Sequence, residues 1–237
     1  MLTSRVLNRT LLKRQHLLER VEASPGGLVE HLVGLQAQDT QPPYVGLWSR
    51  LGDFDPLELS ALLEQRQVSR ILLMRGTIHL VTAADCLGLR PVLQEMLERQ
   101  MRGAEFFGHC SDIPRDALVS AVREALDHEP VSARMLGTTL AERFPGHRPG
   151  HLANTARILL PLVQTPPRGL WTRGGPPAYV HAEEWHGAPL AAPDPAELVR
   201  RYLRAFGPAA AADITTWSGL TGLRPVLEGM REELVTH

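Results

Sequence analysis

The chain has 237 residues, room for one large domain or two to three small ones. Its 25 Lys and Arg balance 26 Asp and Glu to a formal net charge of −1, so net charge gives no support for nucleic-acid binding. Hydrophobic residues make up 43%, enough for a sizeable core, and no stretch is long and apolar enough to span a membrane. Cys86 and Cys110 sit in no CxxC pattern, which argues against a zinc site or a disulfide framework and fits a reducing cytoplasm. Lys13 is the only lysine. The preference for arginine reads first as GC-rich coding and second as a fit to phosphate and guanine edges. The N-terminus runs straight into an amphipathic pattern, so no signal peptide is expected.

In chain order, Thr3 or Ser4 caps a predicted helix that runs to about residue 22, with Val6, Leu7, Leu11, Leu12 and Leu18 on its apolar face. Arg5, Arg9 and Lys13 recur every fourth residue and form one basic stripe, either a solvated face or a surface for DNA phosphates. A short helix follows over 27–35, and Pro42 and Pro43 then break the chain. Helices over 44–51 and 56–66, the latter opened by Asp55-Pro56, precede two β-rich runs, 68–74 and 77–82, joined at Arg75-Gly76. Three short helices and a hairpin make the order of a winged helix, in which one helix can enter a major groove and the hairpin is the wing. A helix over 83–101 links to a second such unit. Its helices are 114–126 (capped by Ser111 or Asp112), 132–144 and 150–162. Short strands at 163–165 and 178–181 then flank a Pro/Gly/Arg-rich wing tip. A Pro-rich linker over 188–195 leads to three more predicted helices, 195–206, 209–217 and 220–234, with no hairpin after them. The expected fold is mainly α with short β-hairpins (α+β). It comprises tandem winged-helix units over 1–105, 106–187 and 188–237, the third incomplete.

Three stretches carry a resemblance. They are Leu7-Asn8-Arg9 with Arg14-Gln15, then His31-Leu32-Val33-Gly34-Leu35-Gln36-Ala37-Gln38, then Arg75-Gly76-Thr77-Ile78-His79-Leu80-Val81. Pro167-Arg168-Gly169-Leu170-Trp171, and Ala212-Asp213-Ile214 with Trp217-Ser218-Gly219-Leu220, extend it over essentially the whole chain. Together they resemble the bacterial winged-helix family typified by AlkZ and YcaQ. The resemblance implies tandem winged helices and excision of alkylated purines, crosslinked ones included, from DNA. Family members usually carry a further C-terminal β-rich part that this sequence lacks. The family's motif is Gln, a hydrophobic residue, then Gln or Asp. Gln36-Ala37-Gln38 matches its Gln version, which implies Gln36 and Gln38 as the catalytic pair.

The chemistry of that motif limits the substrate. A purine alkylated at N7 or N3 is cationic and leaves as a neutral base, so the leaving group needs no protonation. What remains is to stabilise an oxocarbenium-like sugar and to place a water. A glutamine amide is no general base, but its carbonyl oxygen can hold a water and face positive charge. Residues two apart share one side of an extended segment and not one face of a helix. The reading therefore requires extended or irregular backbone at 36–39. Asp39 reads first as a cap and second as a general base. His79 and Thr77 share a face of the predicted wing, and each reads as structural or as a supporting site residue. Arg75, Arg168 and Arg173 on the wings are candidate DNA contacts, and Trp171 reads first as packing. Lys13, on an exposed face, is poorly placed as an amine nucleophile, so a monofunctional enzyme is expected. No cofactor and no metal are expected. The expected partner is double-stranded, damaged DNA, bound by a monomer in the cytoplasm at the nucleoid. A non-catalytic winged-helix regulator and a protein-binding winged-helix scaffold are the rival readings.

Overall fold

A computed structural model describes residues 2–127 and 129–236. Its first helix, α1 (Ser4–Arg14), is capped by the Thr3 hydroxyl on the Val6 amide. It stops eight residues before the predicted end near residue 22. His16 takes a left-handed φ of 54°, and the His16 and Leu17 amides donate back to the Lys13 and Leu12 carbonyls. That is a Schellman closure with a non-glycine residue in the left-handed position.

Helix α2 (Pro25–His31), capped by Ser24, ends the same way. Val33 is left-handed at φ 57°, and the Val33 and Gly34 amides return to the Glu30 and Val29 carbonyls. Strand β1 (Leu35–Gln36) follows at once. Pro42 and Pro43 then open helix α3 (Pro42–Trp48) instead of breaking the chain, because proline fits the first helical turn. Helix α4 (Pro56–Glu64) starts on an Asp55 cap. Strands β2 (Val68–Leu72) and β3 (Ile78–Thr82) enclose a 3₁₀ turn at Met74–Gly76. Helix α5 (Ala83–Met101) spans the predicted range and is capped by Thr82.

The second unit opens with the short α6 (Glu105–Gly108) and with α7 (Arg115–Ala125). Pro114, and not Ser111 or Asp112, stands at the N-cap of α7; Asp112 pairs with His147 at 3.0 Å. Strand β4 (Val131–Ser132), α8 (Ala133–Arg143), α9 (Pro149–Leu159), β5 (Leu162–Gln164), β6 (Ala178–His181) and α10 (Ala182–His186) complete it. Helices α11 (Pro195–Phe206), α12 (Ala211–Ser218) and α13 (Leu223–Gly229) form the last group.

The described strands make one six-stranded antiparallel sheet in the order β1-β3-β2-β5-β6-β4. Each half is a three-stranded antiparallel set, β1-β3-β2 and β4-β6-β5, and the halves join through β2 and β5. The two halves share a register. Gln36 faces His79 across β1 and β3, and Ser132 faces Ala178 across β4 and β6. Fusion places β2 mid-sheet with all five of its residues buried. One apolar cluster gathers the first unit around α5 and takes in Ile158, Val163, Leu170, Val180, Ala182 and Leu198 from later in the chain; a second joins α7, α8 and α9, and a third joins α11 to α13.

Candidate active site at the first sheet edge

The backbone at residues 36–39 is extended and then bent, not helical, as the paired-glutamine reading requires. Two local features force this. Val33 and Gly34 turn the chain out of α2, and β1 then docks on β3. A Cβ on Gly34 would lie 2.6 Å from Val81 Cγ1 and 3.0 Å from the Leu80 carbonyl oxygen, and φ there is +97°, so glycine is needed.

Gln36 lies opposite His79 in the register of β1 and β3, and Gln38 and Thr77 follow just beyond the ends of the two strands. Ala37 points the other way and is fully buried, while Gln36 and Gln38 are exposed. The Ala37 amide donates to the Ile78 carbonyl at 2.7 Å. Gln38 returns the contact, its Oε1 accepting from the Ile78 amide at 3.1 Å. One lone pair of the Gln38 carbonyl is thus committed to the sheet, and its second lone pair and its NH₂ remain.

His79 is 3% exposed. Burial drives its imidazole down to about 4; the Thr77 hydrogen bond opposes this and the nearby Arg75 adds to it. The ring is therefore neutral at pH 7, and donates from Nδ1 to the Thr77 carbonyl at 3.0 Å. Thr77 Oγ1 donates to the Met74 carbonyl. Asp39 is exposed, and its Oδ1 accepts from the adjacent Thr40 amide at 2.8 Å. It does not cap α3, whose N-cap is Gln41.

Gln36 and His79 line a small pocket of about 180 Å³ with Gln15, Arg50, Arg75 and, from the last helical group, Trp217. This is below the roughly 300–1,000 Å³ of a cavity that engulfs a small molecule. The site is an open edge with a shallow recess. A larger groove, about 670 Å³, runs between α1 and the last helical group and contains none of the predicted site residues.

The basic candidates divide. Arg5, Arg9 and Lys13 lie exposed on α1 with no hydrogen-bond or ion-pair partner among the described residues. Arg75 instead donates to the Trp217 carbonyl, tying the first wing to α12. Arg168 donates to the Gly175 carbonyl at 3.0 Å within its own wing, and Arg173 pairs with Glu64 at 2.6 Å. Trp171 packs on Tyr44, ring centroids 4.9 Å apart, and is 41% exposed. The second wing therefore folds back over α3 and α4. Helix α4, the last before the β2–β3 hairpin, carries Glu58 and Glu64 and no cation.

The sequence reading missed Arg70. It lies in the middle of β2 and is 1% exposed. Its Nη2 donates to the Ala37 carbonyl at 2.7 Å, and Nε and Nη2 reach Gln164 Oε1 at 3.4 Å each. Burial, with Arg168 nearby, lowers its guanidinium to about 10, so it stays charged at neutral pH. No local pattern marks an arginine in an apolar strand whose partners lie 33 and 94 residues away.

Among the described residues no group of three His, Cys, Asp or Glu gathers to hold a metal ion, and no helix is long and apolar enough to cross a membrane.

No curated protein sequence matches the chain significantly. The Streptomyces sahachiroi DNA glycosylase AlkZ superposes on it with a TM-score of 0.76 at 21% sequence identity, over 95% of this chain and 64% of that one. At that identity the likeness shows the fold, and this chain spans 64% of the length of the AlkZ structure. A sequence model described as DNA glycosylase AlkZ-like matches residues 29–237. That match takes in Gln36, Gln38 and the whole six-stranded sheet, and the chain belongs to the AlkZ-like DNA glycosylase family.

Proposed function

We propose that this chain is a monofunctional DNA glycosylase that hydrolyses the N-glycosidic bond of N-alkylated, cationic purines in duplex DNA, interstrand crosslinks among them. The observation that carries the reading is the non-helical Gln36-Ala37-Gln38 edge, with Gln36 opposite His79 and both glutamines exposed on either side of the buried Ala37. In this reading the Gln36 carbonyl oxygen holds the attacking water. Gln38, fixed by the Ile78 amide, turns its remaining lone pair toward the positive charge that develops on the sugar. The neutral His79 beneath adds no competing positive charge. Neither amide protonates a leaving base, so an unmodified neutral purine is a poor substrate.

An open edge suits bulky adducts that a closed cavity would reject. Lys13 stands on the outer face of α1 and lines no part of the recess, which fits hydrolysis without an amine nucleophile. The alternative amine, on Met1, lies outside the described residues. The rival of a non-catalytic groove reader is disfavoured by the acidic outer face of α4 and by the tethered second wing. We place the protein, as a monomer, on damaged duplex DNA at the nucleoid.

The test incubates the full-length protein with a duplex carrying N7-methylguanine, then reveals abasic sites with heat and alkali. Excision by the wild type that is lost in both Gln36→Ala and Gln38→Ala, with duplex binding kept, is the expected result. No excision by the wild type overturns it. A borohydride-trapped adduct through Lys13 overturns the monofunctional assignment.

A further inference from the structure

Ala37, the residue between the two glutamines, is held from behind. Its amide is bound to Ile78 of the first wing, and its carbonyl to the guanidinium of Arg70. Arg70 faces Leu80 across β2 and β3, and Leu80 faces Leu35 across β3 and β1. The arginine therefore lies on the opposite face of the sheet from Gln36 and His79. Its charge reaches the backbone of the motif without standing among the groups that would meet a cationic substrate.

The enclosure of Arg70 comes from the second unit. Gln164 is its cross-strand partner where β2 meets β5. Gly169 of the second wing lies over its stem, close enough that a Cβ there would sit 2.8 Å from Arg70 Cδ. The Tyr44 hydroxyl fastens that wing by donating to the Gly169 carbonyl at 2.7 Å. Among the described residues Arg70 makes no ion pair. A buried cation without a carboxylate against it is unfavourable unless hydrogen bonds compensate, and its shortest is to Ala37. An apolar side chain would fill the same mid-sheet position without that cost.

We propose that Arg70 is a positioning residue: it fixes the Ala37 carbonyl, and through it the angle at which Gln36 and Gln38 leave the sheet, and it does so only while the second unit encloses it. The second winged-helix unit thereby sets the geometry of a motif that belongs wholly to the first. The activity readout rests on the glycosylase reading above; the exchange readout does not.

The test compares wild type, Arg70→Met, Arg70→Lys and Leu140→Ala. Leu140 is buried in the separate core of the second unit and serves as a control for stability loss alone. Three quantities are read: the single-turnover excision rate on saturating N7-methylguanine duplex, the duplex Kd, and hydrogen exchange over residues 34–41.

Arg70→Met is expected to lower the single-turnover rate by about 10- to 100-fold with little change in Kd, the effect of displacing reacting groups by about an ångström. Exchange should quicken at 34–41. Arg70→Lys keeps the charge but loses the planar fork, and should fall between the two. Leu140→Ala should lower Tm yet keep the wild-type rate. If Arg70→Met fails to fold, Arg70→Lys carries the comparison. A rate within about twofold of wild type in folded Arg70→Met, or in Arg70→Lys where Arg70→Met does not fold, overturns the proposal. If the wild type excises nothing, the glycosylase reading falls instead, and exchange at 34–41 alone decides whether Arg70 orders the segment.

Discussion

Between pH 6.5 and about 4, His79 should make the folded protein progressively less stable. In the folded chain its ring stays neutral down to about 4, whereas an unfolded histidine takes up its proton near 6.5. The unfolded state binds more protons across that window, so stability is full above it and is lost as the pH falls through it, by up to about 3 kcal/mol. Urea unfolding of wild type and His79→Gln at pH 7 and pH 4.5 checks this; the variant should lose less stability on acidification. The two glutamines should also separate. Gln38→Ala strips the acceptor from the Ile78 amide and should cost about 1 kcal/mol. Gln36→Ala removes an exposed side chain that has no hydrogen-bond partner among the described residues and should unfold within about 0.5 kcal/mol of wild type. Equal losses in both would show that the Ile78 contact does not hold in solution.

The way α2 ends decides whether the Gln36-Ala37-Gln38 edge can form at all. Gly34 is left-handed and is crowded by Val81 and the Leu80 carbonyl. Gly34→Ala should cost about 2 kcal/mol or more and loosen β1 from β3, seen as a lower Tm and faster exchange at residues 35–37. The same junction shows where sequence patterns succeed and fail. Helices α5 and α11 were legible to the residue, because Thr82 and Asp194 cap a clean periodic run. Helices α1 and α2 read too long because their left-handed closing residues are His16 and Val33, where a glycine would have announced the stop. Pro42-Pro43 read as a break because proline opens a helix as readily as it ends one. The extended backbone at Gln36–Gln38 followed from chemistry, since two residues at that spacing converge only off a helix. Arg70 could not be read at all, because its partners are set by the sheet and not by its neighbours.

Across the whole molecule, the candidate basic residues divide into those bound within the fold and those left at the surface. Arg75, Arg168 and Arg173 are spent on the Trp217 carbonyl, the Gly175 carbonyl and Glu64, while Arg5, Arg9 and Lys13 have no partner among the described residues. If the α1 stripe meets phosphates, replacing its three cations with alanine should flatten the salt dependence of duplex affinity by about 0.9 logarithmic units per lost contact. Arg173→Ala should leave the slope unchanged. An unchanged slope in the triple variant would place the DNA elsewhere. The shared register of the two half-sheets has a further consequence. Gln36 and His79 map onto Ser132 and Ala178, a helix cap and a methyl group. The shared register thus carries different chemistry in its two halves, an amide and an imidazole in the first and a hydroxyl and a methyl group in the second. On the proposed glycosylase reading the paired-glutamine edge therefore occurs in one half of the sheet alone, and titration with a lesion-bearing duplex is expected to saturate at one lesion per chain.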